Sequence, residues 1–217
     1  MLKLAFERKD GKPLSVLCLG AHSDDIEVGC GGTVLRLLVE LPGANVHWIV
    51  LGASGERAEE AVASANLFLR KAGQRQILVE GFRDGFFPYI GGEIKDYFER
   101  LKGEVSPDLI LTHARHDLHQ DHRLVSELTW NTFRDHMILE YEVVKYDGDL
   151  GAPNLFVRLP EEICLRKARI LMECFRSQRA RAWFTEDTFL SMLRIRGVEC
   201  NAPERYAEAF YCRKAVL

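Results

Sequence analysis

The sequence lacks the features of several large protein classes. No run of apolar residues in the 217-residue chain approaches the roughly 20 that are needed to cross a bilayer. The N-terminal stretch MLKLAFERKDGKPLSV turns polar before the apolar core of a signal peptide can form. We therefore expect a cytoplasmic protein without a membrane span.

Paired cysteines and an excess of positive charge are absent as well. The six cysteines contain no C-x-x-C pair, so we expect reduced thiols and no disulfide framework. The net charge of -3 argues against nucleic acid as a partner. What is present, 47% hydrophobic residues without repeats or linkers, predicts one compact domain over residues 1–217.

Short apolar runs alternate with helical patterns along the chain. This alternation predicts a Rossmann-like α/β fold, with a largely parallel sheet and helices on both faces. Strands are predicted over residues 15–19, 46–51, 76–79, 108–112, 137–144 and 155–159. Helices are predicted over residues 29–40, 56–71, 93–102, 121–133 and 161–175, and residues 20–28 are interpreted as the first loop.

That first loop carries acids where a nucleotide-binding loop would carry glycines. It begins GAHSDD and contains, in order, His22, Asp24, Asp25 and Glu27. Three carboxylates at this place would repel a pyrophosphate, whereas an imidazole beside carboxylates suits a divalent cation. The GCGG glycines that follow are interpreted as positions where the helix packs closely against its neighbours.

A second polar cluster, THARHDLHQDH, follows the fourth predicted strand. It contains four of the seven histidines and two aspartates: His113, His116, Asp117, His119, Asp121 and His122. The first and fourth strands of a doubly wound sheet are often neighbours, so both clusters are expected to face one crevice. Two ligands from the first loop and one from the second would form a catalytic metal site with an open position for water.

The paired motifs AHSDDIEVGCGG and HQDH resemble those of the PIG-L/LmbE-like zinc-dependent de-N-acetylases, and YAEAF at 206–210 extends the similarity. The resemblance implies that His22, Asp25 and His122 hold zinc. It also implies that Asp24 is the general base and that a cationic His119 assists at the developing oxyanion. The implied reaction removes acetyl from a small-molecule N-acetyl sugar, such as an N-acetylglucosamine derivative.

Residues around this set have less specific roles. Asp121, between His119 and His122, could orient either of these two imidazoles from outside the ligand set, and Asp117 could do the same. Arg57 and Asp84 are predicted at the ends of two strands on the crevice rim, where they bind substrate or serve as a helix-start charge and a turn aspartate. Ser23 replaces the proline usual after the motif histidine, which should change loop stiffness and leave the metal ligands intact.

Fe²⁺ is an alternative to Zn²⁺, because the same ligands accept several metals.

Other interpretations stay open. His113 and His116 are placed outside the site, because three protein ligands suffice for a catalytic zinc. Glu208, within YAEAF, either approaches the site or lies along a late strand edge. The C-terminal third is rich in arginine, interpreted as a solvated helical face, with contact to a substrate phosphate as the alternative. These arginines are Arg176, Arg179, Arg181, Arg194 and Arg196.

Three alternative functions follow from the same residues. An amidase acting on a thiol-conjugated sugar uses the same chemistry. A metal-dependent phosphoesterase shares the ligand types but often holds two metals. A non-catalytic sugar- or metal-binding module is the third, and Asp24 argues against it because a storage site needs no adjacent base. The sequence leaves the oligomeric state open, and a homo-oligomer is possible.

Overall fold

Apolar runs form the strands of one sheet in the computed structural model, which describes residues 11–216. The strands are β1 (Ser15–Gly20), β2 (Asn45–Val50), β3 (Arg75–Val79), β4 (Leu109–His113), β5 (Met137–Tyr141), β6 (Leu155–Leu159) and β7 (Tyr206–Cys212). Their order across the sheet is β3-β2-β1-β4-β5-β7-β6. The first five are parallel, and β7 runs antiparallel between β5 and β6. The predicted largely parallel α/β sheet is confirmed.

Within residues 11–216, six α-helices cover the two faces of the sheet. They are α1 (Asp25–Glu40), α2 (Glu56–Phe68), α3 (Gly91–Glu104), α4 (Gln120–Thr132), α5 (Glu161–Cys174) and α6 (Glu186–Glu199). α1, α2 and α5 pack together over one apolar core, and α3 and α4 pack over the other. None of the helices in the described part of the chain is long and apolar enough to cross a membrane.

All six cysteines are free thiols, as expected. Burial raises the pKa of Cys164 to about 12, which keeps that thiol protonated and unreactive at neutral pH. The expectation that the protein is not exported depends partly on residues 1–10, which lie outside the described residues.

The first helix begins earlier than predicted. α1 begins at Asp25, so the second half of the predicted loop is the first turn of the helix. Asp25 Oδ2 accepts the backbone N–H of His22 at 2.6 Å, which ties the preceding loop to this turn. Acidic residues are also favoured in the first turn because they face the positive end of the helix dipole. The two carboxylates Asp24 and Asp25 therefore lie at a helix N-terminus and are held there by backbone geometry.

Two glycines of α1 allow close packing, as predicted. A Cβ on Gly29 would lie 2.1 Å from the ring of Tyr141, and one on Gly32 would lie 2.6 Å from a methyl group of Leu159. Real Cβ atoms do not approach other atoms this closely. These glycines therefore let α1 lie directly against the sheet.

The first and fourth strands are neighbours, as predicted. Val16 pairs with Leu109 and Cys18 with Leu111 in parallel register. Because β1 contacts β2 on its other side, this is the point where the strand order reverses. Loops that leave the carboxyl ends of two such strands diverge around a crevice, where ligands of doubly wound folds bind.

Candidate metal centre and active site

Three donor atoms from the two polar loops meet at this crevice. His22 precedes α1, Asp25 lies in the first turn of α1, and His122 lies in the first turn of α4. His22 Nδ1 lies 3.2 Å from His122 Nε2, and Asp25 Oδ2 lies 3.4 Å from each of these nitrogens. All three side chains are buried. The structure thus brings together the three residues predicted as metal ligands, and we call these three atoms the donor triangle.

Each histidine of the triangle turns its other ring nitrogen to a carboxylate. His22 Nε2 lies 3.2 Å from Asp121 Oδ2 and 3.1 Å from Asp84 Oδ1. His122 Nδ1 lies 2.9 Å from Asp117 Oδ2. Such partners fix the tautomer and orientation of metal-binding histidines. The structure pairs Asp117 with His122, one of the two rings expected for it, whereas the carboxylate of Asp121 lies against His22 and against neither His119 nor His122.

The donor set fits a divalent cation. Ligands at about 2.0–2.2 Å from a tetrahedral zinc ion lie about 3.3 Å from one another, close to the separations within the triangle. Burial lowers the pKa of His22, but Asp121, Asp25 and Asp84 outweigh it and raise that pKa well above its usual value. Burial lowers the pKa of His122 to about 4, so this imidazole is neutral. The centre therefore attracts one positive charge, which a proton or a metal ion can supply.

His113 is a strand-end residue, as predicted, but its side chain reaches the donor triangle. His113 is fully buried at the end of β4, and its Nε2 lies 3.3 Å from Asp25 Oδ2. The same nitrogen accepts the backbone N–H of Ala21 at 2.9 Å, so its lone pair is already used. His113 therefore supports the loop and contacts a predicted ligand, and its Nδ1 has no hydrogen-bond partner within the described residues. Asp25, His113 and His122 also form a group whose donor atoms lie close enough to hold a metal ion. His116 is exposed, and its ring contacts that of Tyr211.

Asp24 is a second carboxylate beside the donor triangle. It is the N-cap residue of α1, and its side chain is 7% exposed. Burial, and then the charge of Asp25, raises the pKa of Asp24 to about 6, although Arg57 opposes this shift. The guanidinium of Arg57 lies 3.7 Å from Asp24 Oδ1. A carboxylate with a pKa near 6 exchanges protons near neutral pH, as a general base must.

His119 also lies beside the triangle. Its ring centroid is 4.9 Å from that of His22 and 4.5 Å from that of His122. His119 Nδ1 accepts the backbone N–H of Asp121 at 3.3 Å, so the neutral ring carries its proton on Nε2. Burial, and then the charge of His22, lowers the pKa of His119. His119 is therefore a neutral hydrogen-bond donor in this state, and the cationic form expected at the developing oxyanion stays a prediction.

Arg57 and Asp84 lie on the rim of the crevice, as predicted. Arg57 Nη1 lies 2.7 Å from Asp84 Oδ2, and Arg57 Nε donates to Ser23 Oγ at 3.2 Å. Ser23, which stands where the related motif has proline, thus holds the guanidinium above the loop. The side chain of Asp84 is 50% exposed, so a substrate can reach it. Their role in substrate binding remains a prediction.

Two acids from the motifs lie away from the crevice. Glu27 is fully buried and faces Ser64 of α2, and burial raises its pKa well above its usual value. Glu208 lies on β7, which is an inner strand, so the expected position at a strand edge is wrong. Its carboxylate accepts the N–H groups of Gly32 and Thr33 in α1 at 2.8 and 2.6 Å. Glu208 therefore holds α1 against β7 through these two hydrogen bonds.

The C-terminal arginines do not share one solvated surface. Arg196 is 5% exposed, and its guanidinium lies 2.6 Å from Glu142 Oε2 and 2.8 Å from Glu199 Oε2. Arg179 Nε donates to the carbonyl of Met172 at 2.9 Å. The interpretation of these arginines as one solvated face is therefore wrong, because Arg196 is buried in ion pairs within the fold.

The sequence matches one known family. The family described as GlcNAc-PI de-N-acetylase (PIG-L) matches residues 17–133, just over half of the chain. This stretch includes every residue of the donor triangle, together with Asp24 and His119. No curated protein matches the sequence.

Solved structures share the fold over nearly the whole chain. The conserved protein TT1542 from Thermus thermophilus has a TM-score of 0.75 and 22% identity, covering 94% of this chain and 96% of its own. N,N'-diacetylchitobiose deacetylase from Pyrococcus horikoshii has a TM-score of 0.64 and 20% identity, covering 90% and 82%. The 4-carboxy-2-hydroxymuconate hydratase GalB from Pseudomonas putida has a TM-score of 0.68 and 18% identity, covering 94% and 98%. Identities this low show the fold alone, since one fold hosts several reactions.

Proposed function

Because the chain belongs to the GlcNAc-PI de-N-acetylase (PIG-L) family, we propose that it is a metal-dependent hydrolase that releases acetate from an N-acetylated sugar or sugar derivative. His22, Asp25 and His122 would hold Zn²⁺, and Fe²⁺ suits the same donor atoms. The observation that carries the proposal is the buried donor triangle with the additional carboxylate of Asp24 beside it. A site for storage alone needs the triangle but has no use for that carboxylate.

The residues around the triangle have the properties that amide hydrolysis requires. When bound, a divalent ion supplies Lewis-acid chemistry, which polarises a carbonyl and acidifies water. Asp24 would take a proton from the attacking water and deliver it to the departing nitrogen, giving acetate and a free amine. His119 would donate its Nε2 hydrogen to the carbonyl oxygen as negative charge develops there. Arg57 would favour the ionised form of Asp24 before the reaction begins.

The rim of the crevice supports a hydroxylated substrate. Asp84 offers carboxylate oxygens to sugar hydroxyls, while Arg57 offers N–H donors from the same place. Their mutual ion pair keeps both side chains in position before a substrate arrives. We propose that this pair orients the sugar so that its N-acetyl group lies over the donor triangle.

The experiment that tests the function measures acetate release by the purified protein over a panel of N-acetyl sugars. The protein is stripped with a chelator and reloaded with Zn²⁺ or Fe²⁺ before each assay. We expect acetate and free amine in equal amounts, loss of release after stripping, and recovery with one equivalent of metal. A metal-loaded protein that releases acetate from none of the N-acetyl sugars would contradict the proposal.

The same assay separates the alternatives. Cleavage of larger acyl groups from thiol-conjugated sugars, without acetate release, would identify an amidase. Phosphate release with two metal ions per chain would identify a phosphoesterase. Sugar binding by calorimetry without any turnover would identify a binding module.

A further inference from the structure

A lysine with a largely buried side chain lies next to Asp117, outside both sequence motifs. Lys145 follows β5, and its side chain is 8% exposed. Its Nζ lies 3.0 Å from Asp117 Oδ1 and 2.5 Å from Asp149 Oδ2, with Asp147 Oδ2 at 3.9 Å. Lysine is rarely buried unless its charge is paired. The carboxylates of Asp117 and Asp149 supply that pairing here.

Asp117 connects this lysine to the candidate centre. One of its oxygens, Oδ2, lies 2.9 Å from His122 Nδ1. The other, Oδ1, faces Lys145 and also accepts the backbone N–H of His119 at 2.8 Å. The carboxylate is 3% exposed, so its three partners determine its orientation. A change at Lys145 is therefore expected to reach His122 through a single side chain.

The second partner of Lys145 holds the same loop from its outer side. Asp149 Oδ2 accepts the backbone N–H of Leu118 at 2.8 Å. Lys145 thus joins two carboxylates that bind successive backbone N–H groups, those of Leu118 and His119. This loop carries His119 at the N-cap of α4, one turn before His122.

Without the lysine charge, the two carboxylates would oppose each other. The side chains of Asp117 and Asp149 are 3% and 6% exposed, and both approach the same ammonium group. Two poorly solvated carboxylates without a cation repel each other, so the side chain of Asp117 is expected to turn away from Asp149 or to lose its fixed orientation. Either response removes the fixed acceptor for His122 Nδ1–H, and the ring is then free to change tautomer or rotate.

From this arrangement, we propose that Lys145 is a positioning residue for the metal centre: it fixes the Asp117 carboxylate, which in turn directs His122 Nε2 toward the other donor atoms. Lys145 acts through Asp117 and does not itself contact the donor triangle. The inference rests on the proposed function, since it requires that His122 binds a metal. It adds a residue from a third segment of the chain to the two motif loops.

The test measures Zn²⁺ affinity of the full chain by competition with a chromophoric chelator, in the absence of substrate. We compare the wild type with Lys145→Met, Lys145→Arg and the exposed control Lys102→Met. Loss of a group that orients a metal-binding histidine typically weakens metal affinity about 10- to 100-fold, and we expect a loss in this range for Lys145→Met. Lys145→Arg should keep affinity within about threefold of the wild type because it retains the charge, and Lys102→Met should match the wild type.

A second readout separates positioning from general loop stability. Nitrogen-15 NMR of the histidine rings should show His122 protonated on Nδ1 in the metal-free wild type and a mixture of tautomers in Lys145→Met. A folded Lys145→Met variant with wild-type affinity and a single His122 tautomer would overturn the proposal. A Lys145→Met chain that cannot fold would also overturn it, because it would assign Lys145 to stability alone.

Failure of the inference and failure of the function give different results. If the wild type binds Zn²⁺ and Lys145→Met binds it equally well, the inference fails and the function stands. If the wild type binds Zn²⁺ but releases no acetate, the function fails and the positioning role is still measured. A wild type that binds no divalent ion overturns both.

Discussion

Two clusters of buried charge lie at opposite ends of the first half of α1. They differ in whether their acceptor atoms have hydrogen-bond donors. In the rear cluster, Lys167 Nζ donates to Glu208 Oε1 at 2.6 Å and to the carbonyl of Val28 at 2.7 Å. Glu208 also accepts two backbone N–H groups of α1, those of Gly32 and Thr33. Both carboxylate oxygens therefore have hydrogen-bond donors, and the cluster is closed.

The front cluster, which is the donor triangle, has the opposite property. His22 and His122 direct their N–H groups outward to carboxylates, so their remaining nitrogens face Asp25 Oδ2. Acceptors that face one another are unfavourable until a positive charge lies between them. The difference teaches that buried charge by itself does not identify a functional site. A set of buried acceptor atoms on separate loops that converge on one point does, and here a single backbone N–H, that of His22, reaches one of the three.

The largest expected effect in this comparison comes from removing the carboxylate of Asp24, which stabilises neither cluster. Asp24→Asn keeps the size of the side chain but cannot accept a proton at neutral pH. We expect kcat for acetate release to fall about 10²- to 10⁴-fold, the usual contribution of a general base. Zn²⁺ affinity and the melting temperature should stay close to wild type. A variant with more than about half of the wild-type kcat would show that Asp24 is not the base.

Removing the cation of the rear cluster should lower the free energy of unfolding and leave acetate release unchanged. Lys167→Met leaves Glu208 buried with two N–H donors but no cation, and breaking a buried ion pair in this way costs about 3–5 kcal/mol. Urea denaturation of the metal-free protein measures the loss. The double variant Lys167→Met with Glu208→Gln should recover part of it, because no buried charge is then left unpaired.

The control for Lys167→Met is a measurement of metal binding and activity at the donor triangle. Under conditions where Lys167→Met is folded, we expect its Zn²⁺ affinity and kcat to lie within about twofold of wild type. If affinity fell together with stability, the two clusters would be one coupled unit, and the contrast drawn between them would be wrong.

Much of the sheet was predictable because each strand is a short apolar run with polar flanks. The run SVLCL becomes β1, and the predicted boundaries of β2, β3 and β4 lie within one residue of the observed ones. The approach of the two motif loops followed from a general property of doubly wound sheets, which requires no knowledge of this chain. The meeting of the two loops could therefore be predicted from the sheet alone, whereas the choice of His22, Asp25 and His122 came from the family resemblance.

The other parts of the fold and of the site could not be predicted, because they depend on contacts between residues that are distant in the sequence. α6 has no clean apolar stripe, since Ile195 and Val198 are exposed while Arg196 and Gly197 are buried. The predicted strand over residues 137–144 continues three residues too far, because the chain leaves the sheet after Tyr141. Lys145 has no neighbours in the sequence that indicate its position. Its contact with Asp117 arises only when the loop after β5 folds back over the loop after β4.

The smallest expected effect comes from Gly29, which lies on α1 between the two clusters. Gly29→Ala places a methyl group against the Tyr141 ring, whose hydroxyl donates to the carbonyl of Leu19 at 2.6 Å and holds the ring in place. We expect a loss of about 1–3 kcal/mol from overpacking, measured by urea denaturation. The control Gly92→Ala, in α3, meets no atom within 4 Å and should gain about 0.5–1 kcal/mol, because alanine is the better helix former. Equal effects of the two substitutions would mean that α1 can shift away from the sheet, and the front cluster would then lack the rigid support that its three converging acceptors need.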